Sequence, residues 1–112
     1  MTKMMIDFGN ARIPEHTKLS LENYLLYGLP PGGFMTAVLT NDLYGAISRA
    51  DSQNMSRLED IVRWLQHNAP IDSHGNYENI TTWVNDTYGD REKFAAGVEK
   101  DYVWRSLRQA GQ

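Results

Sequence analysis

The run Pro30-Pro31-Gly32-Gly33, followed directly by Phe34 to Ala50, constrains this chain more than any other stretch. Two successive prolines stop whatever helix precedes them, and two glycines free the turn. Beyond the turn, Met35, Leu39, Leu43, Ala46, Ile47 and Ala50 fall at helical spacing on one side. Phe34, Ala37, Val38, Asn41 and Tyr44 form a second strip beside them, apolar except for the amide. The spacing predicts one helix over 34–50, apolar around enough of its girth to be covered by more than one neighbour. In a chain of 112 residues a second copy of the chain is one candidate for that neighbour.

The remaining periodicity is helical as well. Pro14 suits a first helical turn and Gly28 a left-handed C-terminal stop, which predicts a first helix over about 14–27 with Leu19, Leu21, Leu25 and Leu26 apolar. Asp51 or Ser52 can cap a third helix whose stripe is Met55, Leu58, Ile61, Val62 and Leu65, ending near Asn68 before Pro70. Trp64 lies partly off that stripe and must meet another element. Asn76 can cap a fourth helix carrying Tyr77, Ile80, Trp83 and Val84, and Asp90 a fifth with Phe94, Val98, Tyr102, Val103 and Leu107. The fold class is therefore all-α, a single domain of four to five helices over 13–112. Residues 1–12 precede it as a loose arm whose Met4, Met5, Ile6 and Phe8 suit a short strand or a docking segment.

Composition narrows the functions. Lys and Arg number 11 against 14 Asp and Glu, a formal charge of −3 with no basic cluster along the sequence, which is a poor basis for holding duplex nucleic acid. A small ligand with two or three phosphates needs only one or two cations. No window approaches the roughly 18 apolar residues of a membrane span, and the first residues lack the apolar core of a secretory signal. With no cysteine, disulfides, thiolate catalysis and Cys-based zinc sites are excluded together. His16, His67 and His74 are scattered, with no metal-ligand spacing, and no nucleophile elbow or paired carboxylates occur. The expectation is a cytoplasmic, non-enzymatic protein without cofactor or metal.

The residue types that could serve a nucleotide are few. Tyr24 and Tyr27 on the first helix offer rings on which bases could stack, the alternative being a place in the core or at an interface. Gly33 opens the second helix with bare backbone N–H groups suited to an anion, although the same Gly-Gly pair also serves an ordinary tight turn. Thr36 and Thr40 add hydroxyls one turn apart, and Arg49 stands near the helix end, for the helix C-terminus or for a phosphate. Asn41 and Asp42, read as mid-helix residues, either bond a neighbouring helix or, for Asn41, read a base edge.

The segment PPGGFMTAVLTNDLYGAISRAD, preceded by IPEHTKLSLENYLLYGL, resembles a group of small tailed-phage proteins sharing an IPEH…Y…G.PPGGFL.AVL.NDL..A..RAD pattern. The similarity continues through Leu58, Ile61, Val62, Trp64, Ala69-Pro70, Gly75 and Trp83, so it covers about residues 13–86 and leaves 87–112 as an additional C-terminal helix. That group is identified as the anti-CBASS sponge family, which binds the cyclic oligonucleotide signals of bacterial immunity and holds them uncleaved. The resemblance implies a compact homo-oligomer, hexamer-like, with cyclic di- or trinucleotides between protomers in the host bacterial cytoplasm. It also implies a ligand-binding tyrosine on the first helix, for which Tyr24 is the best match, and polar or basic residues near the second. The chain departs from the pattern in having no lysine between Lys18 and Lys93, which shifts phosphate recognition to Arg49, Arg57 or hydroxyls.

Two other classes compete with this reading. One is a non-catalytic protein-binding module or structural phage subunit acting through its apolar surface. The other is a small helix-turn-helix regulator, weakened because the third helix offers only Arg57 and Arg63 as cations beside Glu59 and Asp60.

Overall fold

A computed structural model describes residues 4–110 and is all-helical, with seven α-helices and one short 3₁₀ turn among the described residues. They are α1 (Glu15–Tyr27), α2 (Gly33–Leu39), α3 (Leu43–Arg49), α4 (Ser52–Ser56), α5 (Leu58–Asn68), the 3₁₀ turn Ile71–Ser73, α6 (Tyr77–Asn85) and α7 (Asp90–Ala110).

α1 is the centre of the core. Leu21, Tyr24 and Leu25 lie on one face at helical spacing and are fully buried, joined by Leu39, Ile61 and Trp83 from α2, α5 and α6. Each such aliphatic side chain contributes roughly 1.5–3 kcal/mol through burial. Leu19, expected among the apolar positions of the first helix, is half exposed, since two residues along a helix lie on nearly opposite sides. At its end, Gly28 takes the left-handed conformation (φ 70°), and its N–H bonds the Tyr24 carbonyl at 3.0 Å.

The expected single helix over 34–50 is two helices. Asn41 adopts φ 63°, which an asparagine tolerates better than most residues, and the Asp42 carboxylate caps α3 by accepting from the Gly45 N–H at 2.9 Å. The carbonyls freed at the end of α2 find partners: Ala37 accepts from Asp42 N–H at 2.8 Å, and Leu39 from Gly75 N–H at 2.6 Å. Asn41 and Asp42 thus form the break itself. Replacing Asn41 by Gly is expected to leave stability within a few tenths of a kcal/mol, whereas Asn41→Val should cost about 1–2 kcal/mol in thermal denaturation.

The expected third helix is also divided, at Arg57, which ends α4 and begins α5. The division turns Met55 out to solvent and leaves Val62 partly exposed, so the stripe drawn through both is not a single buried face. Asp51 caps α4 (Asn54 N–H, 2.7 Å) and Asn76 caps α6 (Asn79 N–H, 2.8 Å), whereas Asp90 begins α7 instead of capping it.

Residues 4–12 carry no helix and dock on the bundle. The buried Glu22 carboxylate accepts from the backbone N–H groups of Met5 and Ile6, both at 3.0 Å, and Phe8 packs on Trp64 with ring centroids 4.6 Å apart. α7 packs beside this arm through Phe94, Ala95 and Val98, and Arg105 Nη2 donates to the Met5 carbonyl at 2.8 Å. Its later apolar residues Val103, Trp104 and Leu107 are exposed.

Candidate functional site

The sequence-predicted site residues divide between core and surface. Tyr24 is 0% exposed, and its hydroxyl donates to the Ser73 carbonyl at 2.7 Å. Neither face of its ring is open to a base, so its place here is structural. Burial raises its hydroxyl pKa well above the ordinary tyrosine value. Tyr27, one turn on at the end of α1, is 52% exposed and keeps a ring available for stacking.

Gly33 and Arg49 come together. A Cβ on Gly33 would stand 3.0 Å from Arg49 Cδ and 3.4 Å from its Nε, so the arginine side chain crosses the start of α2 in the space that the missing side chain leaves. Arg49 Nη1 also donates to the Gly45 carbonyl at 3.4 Å, within its own helix. Thr36 is turned to the proline turn, its hydroxyl donating to the Pro31 carbonyl at 3.2 Å. Thr40 donates to the Thr36 carbonyl at 2.8 Å, the usual back-bond of a helical threonine. Of the four polar positions around the turn, Arg49 with Gly33 makes a surface, while the two hydroxyls serve the backbone.

No protein-family model, curated protein or solved structure matches the chain at a significant level. The surface must therefore be read from its own geometry.

Several concavities lie outside the predicted positions, and two of them are walled mainly by α1 to α5. The first is an apolar groove of about 220 Å³ where Val38, Leu43 and Ala46 of the α2–α3 hairpin face Leu58 and Val62 of α5, with Asn41 and Asp42 among its polar lining. The second, of about 540 Å³, lies between the start of α1 and the α4–α5 junction and is lined by Arg12, Glu15, His16, Gln53, Ser56 and Arg57. His16 also lines a smaller cleft with Asn23, Leu29 and Pro30, which extends toward the proline turn.

The walls of the second cleft are joined by polar bonds. His16 Nε2 meets Asp51 Oδ2 at 3.0 Å, and the buried Thr17 hydroxyl donates to the buried Asn54 side-chain oxygen. The Asp51 pKa is lowered chiefly by the Asn54 N–H that its carboxylate accepts, and further by His16. Its folded-state pKa lies below the unfolded one, so the stability it contributes is present above about pH 4 and is lost as pH falls further. No sequence pattern brings Arg12, His16 and Arg57 together. Only the docking of α4 against α1 does so.

Proposed function

We propose that this chain is a non-catalytic binding protein that sequesters cyclic di- or trinucleotides between copies of itself. The reading takes its ligand class from the anti-CBASS resemblance. The observation that supports it most is the Arg49 side chain lying against Gly33 beside the Pro-Pro-Gly-Gly turn, inside the most distinctive part of that pattern. α2 has only seven residues, so its dipole is a minor attraction for phosphate and the guanidinium carries the larger share. Tyr27 replaces Tyr24 as the stacking residue in this proposal. The exposed Leu43, Tyr44 and Ile47 on α3 offer an apolar face for another protomer.

Calorimetric titration against cyclic di- and trinucleotides tests the proposal. Binding should weaken by about 1–3 kcal/mol in Tyr27→Ala, the range for loss of one stacked base, and by a similar factor in Arg49→Gln, with intact ligand recovered after denaturation. Silence from folded wild-type protein, or recovery of cleaved ligand, overturns it.

A second reading, a protein-binding module, is favoured by the exposed Val103, Trp104 and Leu107 on α7, beyond the region of resemblance. Release of a nucleotide absorbing near 260 nm on heating the purified protein separates the two. A duplex-DNA reading has less support, because Arg63 of α5 pairs with Glu59 at 3.4 Å.

A further inference from the structure

We infer that the cleft between the start of α1 and the α4–α5 junction is a binding site for a small anion carrying at least two phosphate groups, held by Arg12 and Arg57. Its lining includes none of Tyr27, Gly33 and Arg49, and it does not depend on the cyclic-nucleotide reading.

The argument begins with charge. The chain is acidic overall at −3, yet two arginines, Arg12 and Arg57, line one concavity and neither has an ion-pair partner among the described residues. Glu15 lines the cleft itself and is paired with Lys18 at 3.2 Å; nearby, Asp51 is engaged with His16 and the Asn54 N–H, and Glu59 with Arg63. Asp60, one turn on from Arg57, makes no ion pair with it. Two unpaired arginines would repel each other across the cleft, and a polyanion between them removes that repulsion. Guanidinium groups bind phosphate oxygens in a forked geometry that a single ammonium cannot reproduce.

Position supports the same conclusion. The cleft walls are tied by the His16–Asp51 pair and by the buried Thr17–Asn54 bond, so the segments carrying the two arginines are held before any ligand arrives. Holding the backbone on both sides of the cleft removes part of the ordering cost of binding. Arg57 is further constrained as the junction residue between two helices, and it is only partly exposed. The ligand class follows from the lining. At about 540 Å³ the cleft accommodates a small molecule, not only a single ion. Apart from the His16 imidazole it offers no ring on which a base could stack, so recognition is of phosphates and not of bases. Gln53 and the Ser56 hydroxyl, which donates to the Gln53 carbonyl at 2.9 Å, supply neutral polar groups at the edge.

The test is an amide NMR titration of the full chain with inorganic triphosphate at constant ionic strength, with sodium chloride as control. Saturable shifts are expected at Arg12, His16, Ser56 and Arg57, and each of Arg12→Gln and Arg57→Gln should weaken binding by about tenfold. Arg63→Gln, which removes an arginine already paired with Glu59, should bind as wild type does. Shifts spread equally over exposed cations such as Lys100 and Arg108, or unchanged affinity in the Arg12→Gln/Arg57→Gln double variant, overturn the inference. The amide spectrum of each variant reports whether it is folded. Loss of triphosphate binding with cyclic-nucleotide binding retained would strike this site alone, and the reverse would strike only the Tyr27 and Arg49 proposal.

Discussion

Gly28→Val should destabilise the fold by about 3 kcal/mol or more, read as a fall of well over 10 °C in melting temperature by calorimetry. Two costs add at this position. The backbone sits at φ 70°, where a β-branched residue is strained by roughly 1–2 kcal/mol. A Cβ would also stand 2.8 Å from the guanidinium carbon of Arg91, too close for either atom to remain in place. That guanidinium joins helix ends, donating to the carbonyls of Leu26 at 3.2 Å, Trp83 at 3.0 Å and Val84 at 3.5 Å. Displacing it leaves carbonyls at the ends of α1 and α6 without their charged donor, each such bond contributing about 1.5 kcal/mol or more. Arg91→Ala in the native background removes the donor without the backbone strain, so it should cost less than Gly28→Val. If the two substitutions were combined, the total would fall short of their sum, because both remove the same bonds.

This junction also marks what was legible in the sequence. Gly28 as a helix stop, Asp51 and Asn76 as caps and the all-helical class follow from local chemistry, which a few adjacent residues determine. The division of the 34–50 run was obscured because Leu39, Leu43 and Ile47 keep an uninterrupted four-residue spacing across it. Apolar periodicity does not distinguish one helix from two that share a side. The available signal was Asn41-Asp42 itself, a left-handed stop followed by an N-cap, read as two poor helix formers in mid-helix. Tyr24 could have been placed with Leu21 and Leu25 on the core stripe, three and four residues apart on α1. The Arg91 clasp and the Arg12–Arg57 cleft were not legible at all. Each joins residues far apart in sequence, through contacts that exist only once α1 has packed on α4, α6 and α7.

Tyr24→Ala is expected to cost about 3–5 kcal/mol, enough to unfold much of a domain this size at moderate temperature. Its ring is wholly enclosed among the side chains of α1 and its neighbours, and no helix shift short of repacking the core would fill the space left. Any loss of ligand binding in that variant would therefore report unfolding and say nothing about a stacked base. Tyr24→Phe separates the two roles. It keeps the ring and removes only the hydroxyl that serves the Ser73 carbonyl, so it should cost about 1–2 kcal/mol and leave the proposed ligand binding, where wild type shows it, unchanged in the folded protein. The same variant has a pH signature. Burial raises the folded-state pKa of Tyr24 above the unfolded value of about 10, so its contribution to stability is fully present below pH 10 and is lost as pH rises beyond it. Denaturant titrations between pH 9 and pH 11 should show wild-type stability falling above pH 10 with a slope approaching 1.4 kcal/mol per pH unit from this one group. In Tyr24→Phe that share of the slope should vanish. Equal slopes in the two proteins would mean that the Tyr24 hydroxyl reaches solvent, and the assignment of this ring to the core would fail with it.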